Sequence, residues 1–280
     1  MSSEAGDRPL GPDAQEAEAT GLDGFQGGRA WGQAGQGSQA AVPWWAWLTA
    51  GRWLWLPAAA FLGTRLLIGV VIIVAGQIVV DWPIPPPYHI VPHNIILDSL
   101  GSRWDTGFYL SIANEGYRYQ GVETPSVAFF PLLPLLMRAV GRLTGGDALL
   151  AGVIIANVAL LGASVLLYRL AELEWGPAVA GRATLYFLIF PASFFGSAIY
   201  TESLFLFFAI GSLYLARRGV WEGAALLGGG ASLTRLMGLL VAPLLLVEWW
   251  QQRRTRPAGE RPAAAALLAA FIAPLGTLLY

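Results

Sequence analysis

Long runs of apolar residues with few or no charges most constrain how this chain can fold. The first covers residues 54–80 and contains a single charged residue, Arg65. As a helix with a rise of 1.5 Å per residue it would be about 40 Å long, more than the ~30 Å hydrocarbon core of a bilayer. Charged residues make up only 12% of the chain, against about 25% in soluble domains. The sequence therefore predicts an all-α polytopic membrane protein that crosses the membrane several times.

Residue types that are missing or rare exclude several kinds of chemistry. The chain has no cysteine, and its 17 basic residues are all arginine, so thiol catalysis and lysine Schiff bases are excluded. The two histidines, His89 and His93, lie among prolines, and we interpret them as solvated loop residues. They are too few for a typical zinc site, and we expect no metal and no cofactor. The net charge of −1 gives no reason to expect a nucleic-acid partner.

The chain divides into a polar tail and a membrane domain. Residues 1–42 are rich in small and polar residues, and this composition predicts a disordered tail. Residues 43–280 are the predicted multispanning domain, which begins with Trp and Arg residues typical of the membrane interface. Its residues 81–127 form a predicted external loop. An apolar run starts at residue 262 and continues to the last residue, so we expect a C-terminal truncation. Further spans are predicted at residues 147–168, 183–200 and 201–216, with a short loop at 169–182.

Residues 221–250 are too long for one span and carry Arg235 near their centre. A single helix would put Arg217 and Arg253 on opposite sides of the membrane, against the preference of basic loops for the cytoplasm. Two short helices that meet at Arg235 place both of these arginines on the cytoplasmic side, and this is the arrangement we predict. The polar residues that then share the non-cytoplasmic face with the external loop are Tyr200, Glu202 and Arg235.

The external loop contains the sequence Arg-Trp-Asp, which ends at Asp105. The residues from Trp104 onward favour a short amphipathic helix, on which Asp105, Tyr109 and Ile112 lie on one face. Aspartate is also a favoured N-cap residue. From position alone, Asp105 is therefore equally a catalytic carboxylate or a helix cap. Asp98, just before a Ser-Leu-Gly turn, is a second predicted N-cap.

Four segments, in order, resemble the PIG-V family of mannosyltransferases. Each segment alone is short and unspecific, but their order and spacing match across about residues 98–240. The segments are RWDTGFYLSIANEGY at 103–117, AFFPLLPLL at 128–136, FPASFFGSAIYTESLF at 190–205 and GVWEGAALLGGGASLTRLMGL at 219–239.

The resemblance implies a fold, a donor and a catalytic residue. The family belongs to the GT-C class of multispanning helical glycosyltransferases, which carry a catalytic carboxylate in the first external loop. They use a polyprenyl- or dolichyl-phosphate sugar donor, and most are thought to need no metal. The resemblance implies that Asp105 is the catalytic carboxylate and that Glu202 and Arg235 lie beside it. It also implies a lipid-linked or glycan acceptor, in a bacterial plasma membrane or, in a eukaryote, the endoplasmic reticulum membrane.

Glycosyl transfer to a hydroxyl needs a base for the acceptor proton and stabilisation of the departing phosphate. Asp105 suits the first role, and one strong carboxylate candidate favours a single displacement with inversion. Arg103 and Arg235 suit the second role, because a guanidinium pairs well with phosphate oxygens. The remaining candidates have open roles. For Glu202 the alternatives are to orient Arg235, to position the acceptor or to cap a helix. Tyr200 is a candidate because it shares the predicted face. Tyr109 and Tyr117 are expected either to stack on a sugar or to pack on Trp104.

Two other classes of protein fit part of this pattern. A transporter or lipid flippase would also have arginines at membrane depth and broken helices. An inverted repeat in the sequence would favour this class, but the Arg-Trp-Asp block is not repeated. A catalytically inert membrane partner of another subunit is the third class. The joint presence of Asp105, Glu202 and Arg235 argues against that class.

Overall fold

The computed structural model describes residues 51–78, 94–118, 126–278 and 280. The predicted tail and, within the external loop, residues 81–93 and 119–125 lie outside the described residues. The described residues form helices and turns without any strand, which confirms the all-α prediction. The α-helices are α1 (Arg52–Ile78), α2 (Ile95–Gly101), α3 (Thr106–Glu115), α4 (Leu132–Gly141), α5 (Ala148–Ile189), α6 (Glu202–Arg217), α7 (Trp221–Thr234), α8 (Val241–Thr255), α9 (Leu268–Ile272) and α10 (Leu275–Leu278).

Two of the described helices are long and apolar enough to cross a membrane. They are α1, with 27 residues, and α5, with 42. The first agrees closely with the span predicted at residues 54–80 over the part that the structure describes. Many side chains on α1 face outward, including Leu66 and Leu67, as expected for a helix that is in contact with lipid.

Helix α5 consists of two arms that meet at one residue. The chain reverses direction there, since Leu160 of the first arm and Leu188 of the second lie in the same apolar cluster. Gly176 adopts φ 80° and Pro177 follows it, so the first arm ends at a left-handed glycine and the second begins with proline at its first position. The chain therefore does turn between the two predicted spans, but the predicted loop at residues 169–182 is too long: helix extends into it from both sides, and the turn lies at Gly176. The charges of the predicted loop are compatible with a helix, because Arg169 pairs with Glu172 three residues along at 3.0 Å.

The segment between α5 and α6 also differs from the prediction. The span expected over residues 183–200 ends at Ile189, because Pro191 disfavours a helical conformation at Phe190, whose ψ is 133°. A 3₁₀ turn, Pro191–Phe194, and further turns continue the chain to α6. We call residues 190–201 the bridging segment. Tyr200 therefore lies in these turns and not at the end of a membrane span, where the sequence placed it.

The break at Arg235 is confirmed. Arg235 has an extended backbone, with φ −167° and ψ 158°, between α7 and the 3₁₀ helix Leu236–Leu240 that leads into α8. The last predicted span is less regular than expected. It contains the 3₁₀ helix Ala264–Leu267 and then α9 and α10, which are separated by Pro274.

Small residues allow close packing around α5. A Cβ added at Gly152 would lie 2.8 Å from the Ile199 side chain, so the first arm of α5 touches the bridging segment directly. Helix–helix interfaces in membranes commonly use small residues in this way. The largest apolar cluster in the described part of the chain joins α1, α2, α3, α4 and α5 to the bridging segment and α6, and it includes Tyr109, four residues after Asp105.

Candidate active site

Asp105 lies at the N-cap position of α3, yet its side chain makes no capping hydrogen bond. A capping side chain normally requires extended backbone at that position, and Asp105 has φ −72° and ψ −7°. The cap role that the sequence left open is therefore wrong. The same holds for Asp98, because Asn94 caps α2 by accepting hydrogen bonds from the Ile96 and Leu97 amides. The exposed Asp105 carboxylate is left available for another role.

The residue before Asp105 has a strained backbone. Trp104 adopts φ 55°, and it is the one non-glycine residue with positive φ in the described chain. This left-handed conformation costs a bulky residue roughly 1–2 kcal/mol. Aromatic contacts offset the cost, since the Trp104 ring lies 6.1 Å from Phe194 and 5.4 Å from Phe195 between centroids. Strain that surrounding packing maintains is common at functional sites.

The bridging segment holds this turn through its backbone. The Asp105 amide donates a hydrogen bond to the Tyr200 hydroxyl at 3.1 Å, and the Ile199 amide donates to the Leu100 carbonyl at 3.0 Å. Phe195 packs edge-on against the Tyr200 ring at 5.5 Å. Tyr200 therefore fixes the position of Asp105, although 95 residues separate them in the sequence.

Tyr109 lies at the centre of the candidate site. It is buried, its hydroxyl hydrogen-bonds the Thr201 side chain, and Asp105, Glu202 and Arg235 all lie within electrostatic range of it. Burial raises the pKa of Tyr109 to about 12, so the hydroxyl remains neutral at physiological pH.

The predicted face of α3 is only partly correct. The helix begins at Thr106, and Tyr109 and Ile112 are buried while Asp105 stays exposed. The Tyr109 ring packs against Phe129 at 5.2 Å, so its aromatic partner is different from the predicted Trp104. The Tyr117 hydroxyl donates to the Phe129 carbonyl at 2.7 Å, and Tyr117 thereby supports the same edge of α3.

Glu202 and Arg235 form an ion pair. Arg235 Nη1 lies 2.8 Å from Glu202 Oε1, and about a third of each side chain is exposed, 37% and 33% respectively. The Arg235 guanidinium also lies over the Phe205 ring at 5.9 Å. Glu202 is in the first turn of α6, and Thr201 occupies the N-cap position. Its second oxygen, Oε2, is buried and has no hydrogen-bond partner in the described part of the chain.

Arg103 lies two residues before Asp105, and its side chain is half-buried. Its carbonyl accepts a hydrogen bond from the Thr106 amide at 3.4 Å, so Arg103 opens the turn that leads into α3. The structure thus brings four predicted residues, Asp105, Tyr109, Glu202 and Arg235, around one point. Tyr200 and Arg103 lie next to Asp105, Tyr200 through its hydrogen bond with the Asp105 amide and Arg103 two residues earlier in the chain.

The sequence did not identify Arg65 and Arg138 as residues that position the site. Arg65 donates to the Leu188 and Ser193 carbonyls at 3.1 and 3.0 Å and to the Ser193 and Ser197 hydroxyls at 3.1 and 2.7 Å. Arg138 donates to the Ala113 and Ile112 carbonyls at 2.7 and 3.1 Å, which completes the C-terminus of α3. A lone arginine in an apolar run was the available signal for Arg65, and the sequence carried no comparable signal for Arg138.

Replacing Arg65 should loosen the bridging segment. We expect Arg65→Leu to remove all four of these hydrogen bonds and to destabilise the protein by about 2–4 kcal/mol, since a hydrogen bond that involves a charged group contributes about 1.5–3 kcal/mol. Arg65→Lys should recover part of this loss because it keeps one donor group. Arg142→Leu, at an exposed arginine, is the matched control. Thermal unfolding in detergent gives the melting temperature of each of the three variants. Equal melting temperatures for Arg65→Leu and Arg142→Leu would show that Arg65 does not hold the bridging segment in place.

Comparisons with known proteins match the part of the chain that contains the candidate site. The family described as Mannosyltransferase (PIG-V) matches residues 92–253, more than half of the chain. GPI alpha-1,6-mannosyltransferase 2 of Cricetulus griseus is 34% identical over 155 residues, which cover 52% of this chain and 31% of the relative. GPI mannosyltransferase 2 of Cryptococcus neoformans is 32% identical over 123 residues, covering 40% and 28%. The Yarrowia lipolytica protein of the same name is 28% identical over 184 residues, covering 63% and 49%.

The chain spans less than half the length of these relatives. No solved structure matches it. The family match covers α2 to α8 except for the last residues of α8, and so contains Asp105, Tyr109, Tyr200, Glu202 and Arg235. The resemblance read from four short segments is confirmed: this chain belongs to the PIG-V family of mannosyltransferases.

Proposed function

We propose that this protein is a multispanning GT-C-type transferase that moves mannose from a polyprenyl- or dolichyl-phosphate donor to a hydroxyl of a lipid-linked or glycan acceptor. The observation that carries the proposal is the meeting of Asp105, Tyr109 and the Glu202–Arg235 pair, which come from three separate segments. The relatives are named as mannosyltransferases, and this favours transfer over transport.

Asp105 is the base in this proposal. The acceptor hydroxyl oxygen attacks the anomeric carbon of mannose while its proton passes to the Asp105 carboxylate. The bond between the anomeric carbon and the phosphate oxygen breaks, and its electron pair leaves with the phosphate. Because one carboxylate is exposed at the tip of the turn, a single displacement with inversion fits the site. Two carboxylates ~5 Å apart, which retaining glycosidases use, are not needed.

Arg235 stabilises the departing phosphate. The ion pair with Glu202 uses its Nη1 nitrogen, and a guanidinium has five N–H donors, so others are available for phosphate oxygens. Glu202 orients Arg235 through Oε1. Arg103, which begins the same turn as Asp105, is the second cation for the phosphate, while Tyr109 and Tyr200 shape the site from below.

The distribution of arginine favours a non-cytoplasmic site. Helix α6 runs from Glu202 at the site to Arg217, about 24 Å away at 1.5 Å per residue. At that far end Arg217 pairs with Glu174 at 2.7 Å, next to the turn between the two arms of α5. Arg256 also donates to the Arg217 carbonyl there, at 2.9 Å, so two arginines meet at the end opposite the site, and basic residues at membrane ends favour the cytoplasm. In this topology α1 and both arms of α5 cross the membrane.

Single cysteines test this topology, because the chain has none of its own. We expect Arg218→Cys and Arg254→Cys to react with a membrane-impermeant maleimide only from the cytoplasmic side. Glu115→Cys, at the exposed end of α3, should react only from the other side. Labelling of positions 218 and 254 from opposite sides would overturn the arrangement of α7 and α8 as two short legs.

The proposed reaction itself is tested with membranes that contain the protein and a radiolabelled polyprenyl-phosphate mannose donor. We expect mannose to appear in a new lipid-linked or glycan product. Donor hydrolysis without a new product, or transfer that occurs equally in membranes without the protein, would contradict the proposal.

A further inference from the structure

A groove of about 560 Å³ lies between α1 and the second arm of α5. It is at the end of α1 remote from the candidate site, since Arg52 lines the groove and Arg65, about 20 Å further along the helix, binds the bridging segment. The side chains of its floor are small or aliphatic. They are Leu56, Ala59, Ala60, Ala178 and Leu185.

Two arginines flank this apolar floor. Arg52 and Arg182 both line the groove and are exposed, and neither forms an ion pair within the described ranges. The nearby carboxylates are already engaged by other cations, because Glu172 pairs with Arg169 at 3.0 Å and Glu174 pairs with Arg217 at 2.7 Å. The positive charge at the edge of the groove is therefore available to an anion, and guanidinium groups bind phosphate well.

A buried hydroxyl provides a second, independent observation. Tyr168 lines the groove and its side chain is fully buried, at 0% exposure. Its hydroxyl oxygen has no hydrogen-bond partner among the residues that the structure describes. Such groups are normally satisfied by protein, water or ligand. A ligand oxygen in the groove would provide the missing partner.

We propose that this groove binds one anionic phospholipid. The phosphate lies between Arg52 and Arg182, an oxygen of the head-group region accepts the Tyr168 hydroxyl hydrogen, and an acyl chain covers the apolar floor along α1. Both helices are long and apolar enough to cross a membrane, so the floor meets acyl chains while the arginines meet head groups. Basic sites between membrane helices commonly recognise anionic lipids in this way. The proposal does not depend on the transferase activity, because the groove is at the opposite end of α1.

Lipid retention by the purified full chain tests the proposal. In detergent, titration with phosphatidylglycerol and native mass spectrometry should show one tightly held lipid, and phosphatidylcholine should be held much more weakly. We expect Arg52→Gln with Arg182→Gln to weaken phosphatidylglycerol binding on the order of 30-fold, the effect of two basic residues beside an anionic head group. The matched control is Arg218→Gln with Arg254→Gln, which removes two exposed charges outside the groove.

Two further variants separate the groove from general surface charge. Ala59→Trp fills the floor without changing any charge and should also abolish tight binding, while Tyr168→Phe should weaken it several-fold. The proposal is overturned if the control pair loses as much binding as the Arg52 and Arg182 pair. It is also overturned if Ala59→Trp binds like wild type, or if excess inorganic phosphate displaces the lipid, since a phosphate site alone would then explain the result.

Discussion

Asp105→Asn should lower the rate of mannose transfer by about 10²–10⁴-fold, the usual loss when a general base is removed. Asparagine keeps the size of the side chain but cannot take the acceptor proton. The expected change is in kcat, because the carboxylate acts on the acceptor and not on donor binding. Initial rates in membranes with a polyprenyl-phosphate mannose donor measure the effect, with protein amount normalised by immunoblot.

The structure makes this substitution a clean test. The Asp105 side chain makes no capping hydrogen bond, and the contact with Tyr200 uses the backbone amide, which asparagine retains. Surface changes of this kind usually alter the unfolding free energy by about 0.5 kcal/mol or less, so the melting temperature should be unchanged. If Asp105→Asn transfers mannose within a few-fold of wild type, the base is another residue, and Glu202 or Asp98 becomes the candidate.

Arg235→Ala should reduce kcat/KM by roughly 10²–10³-fold, as expected when one preorganised stabiliser of developing charge is lost. Arg235→Lys keeps the charge but loses the planar fork, so it should retain intermediate activity. Glu202→Gln should have a smaller effect, because Arg235 would remain but would be less firmly oriented. Rates at several donor concentrations separate the effect on donor binding from the effect on turnover.

An exposed arginine on the same face provides the control for Arg235. Arg118 pairs with Glu115 beyond the end of α3, and about half of each side chain is exposed, so Arg118→Ala should leave activity unchanged. Since the Glu202–Arg235 pair is about one-third exposed, its contribution to stability should be about 1 kcal/mol or less. Equal donor affinity and turnover in Arg235→Ala and Arg118→Ala would exclude Arg235 from phosphate binding.

The sequence predicted best where one residue dictates the local backbone or charge. The break at Arg235 is of this kind, and the span of α1 was equally predictable because a long apolar run leaves few alternatives. The prediction was wrong where the same residues are compatible with either a helix or a loop. Residues 169–182 carry charges that suggested a loop, yet the Arg169–Glu172 pair is satisfied within a helix and the chain bends at Gly176 alone.

Contacts between distant segments explain what the sequence missed at the site. Nothing local to Tyr200 shows that its hydroxyl accepts the Asp105 amide 95 residues away. The hydrogen bonds of Arg138 to the end of α3 are equally invisible in the sequence. Residue preference left the cap and the catalytic carboxylate equally open for Asp105, and the structure excludes the cap through the backbone conformation of Asp105, with φ −72° and ψ −7°.

The hydrogen-bond partners of Arg65 are synthesised well after Arg65 itself. Its partner at Leu188 is 123 residues further along the chain, and ribosomes add about 5–20 residues per second, so roughly 6–25 s pass between the two. In the proposed topology, the α1 segment enters the bilayer during that interval with an unsatisfied guanidinium, at a cost of about 2.5–3.5 kcal/mol on translocon scales. The surrounding leucines and valines must outweigh this cost. In that topology, a nascent chain that stalls before Leu188 leaves Arg65 facing lipid without the partners that it has in the folded protein.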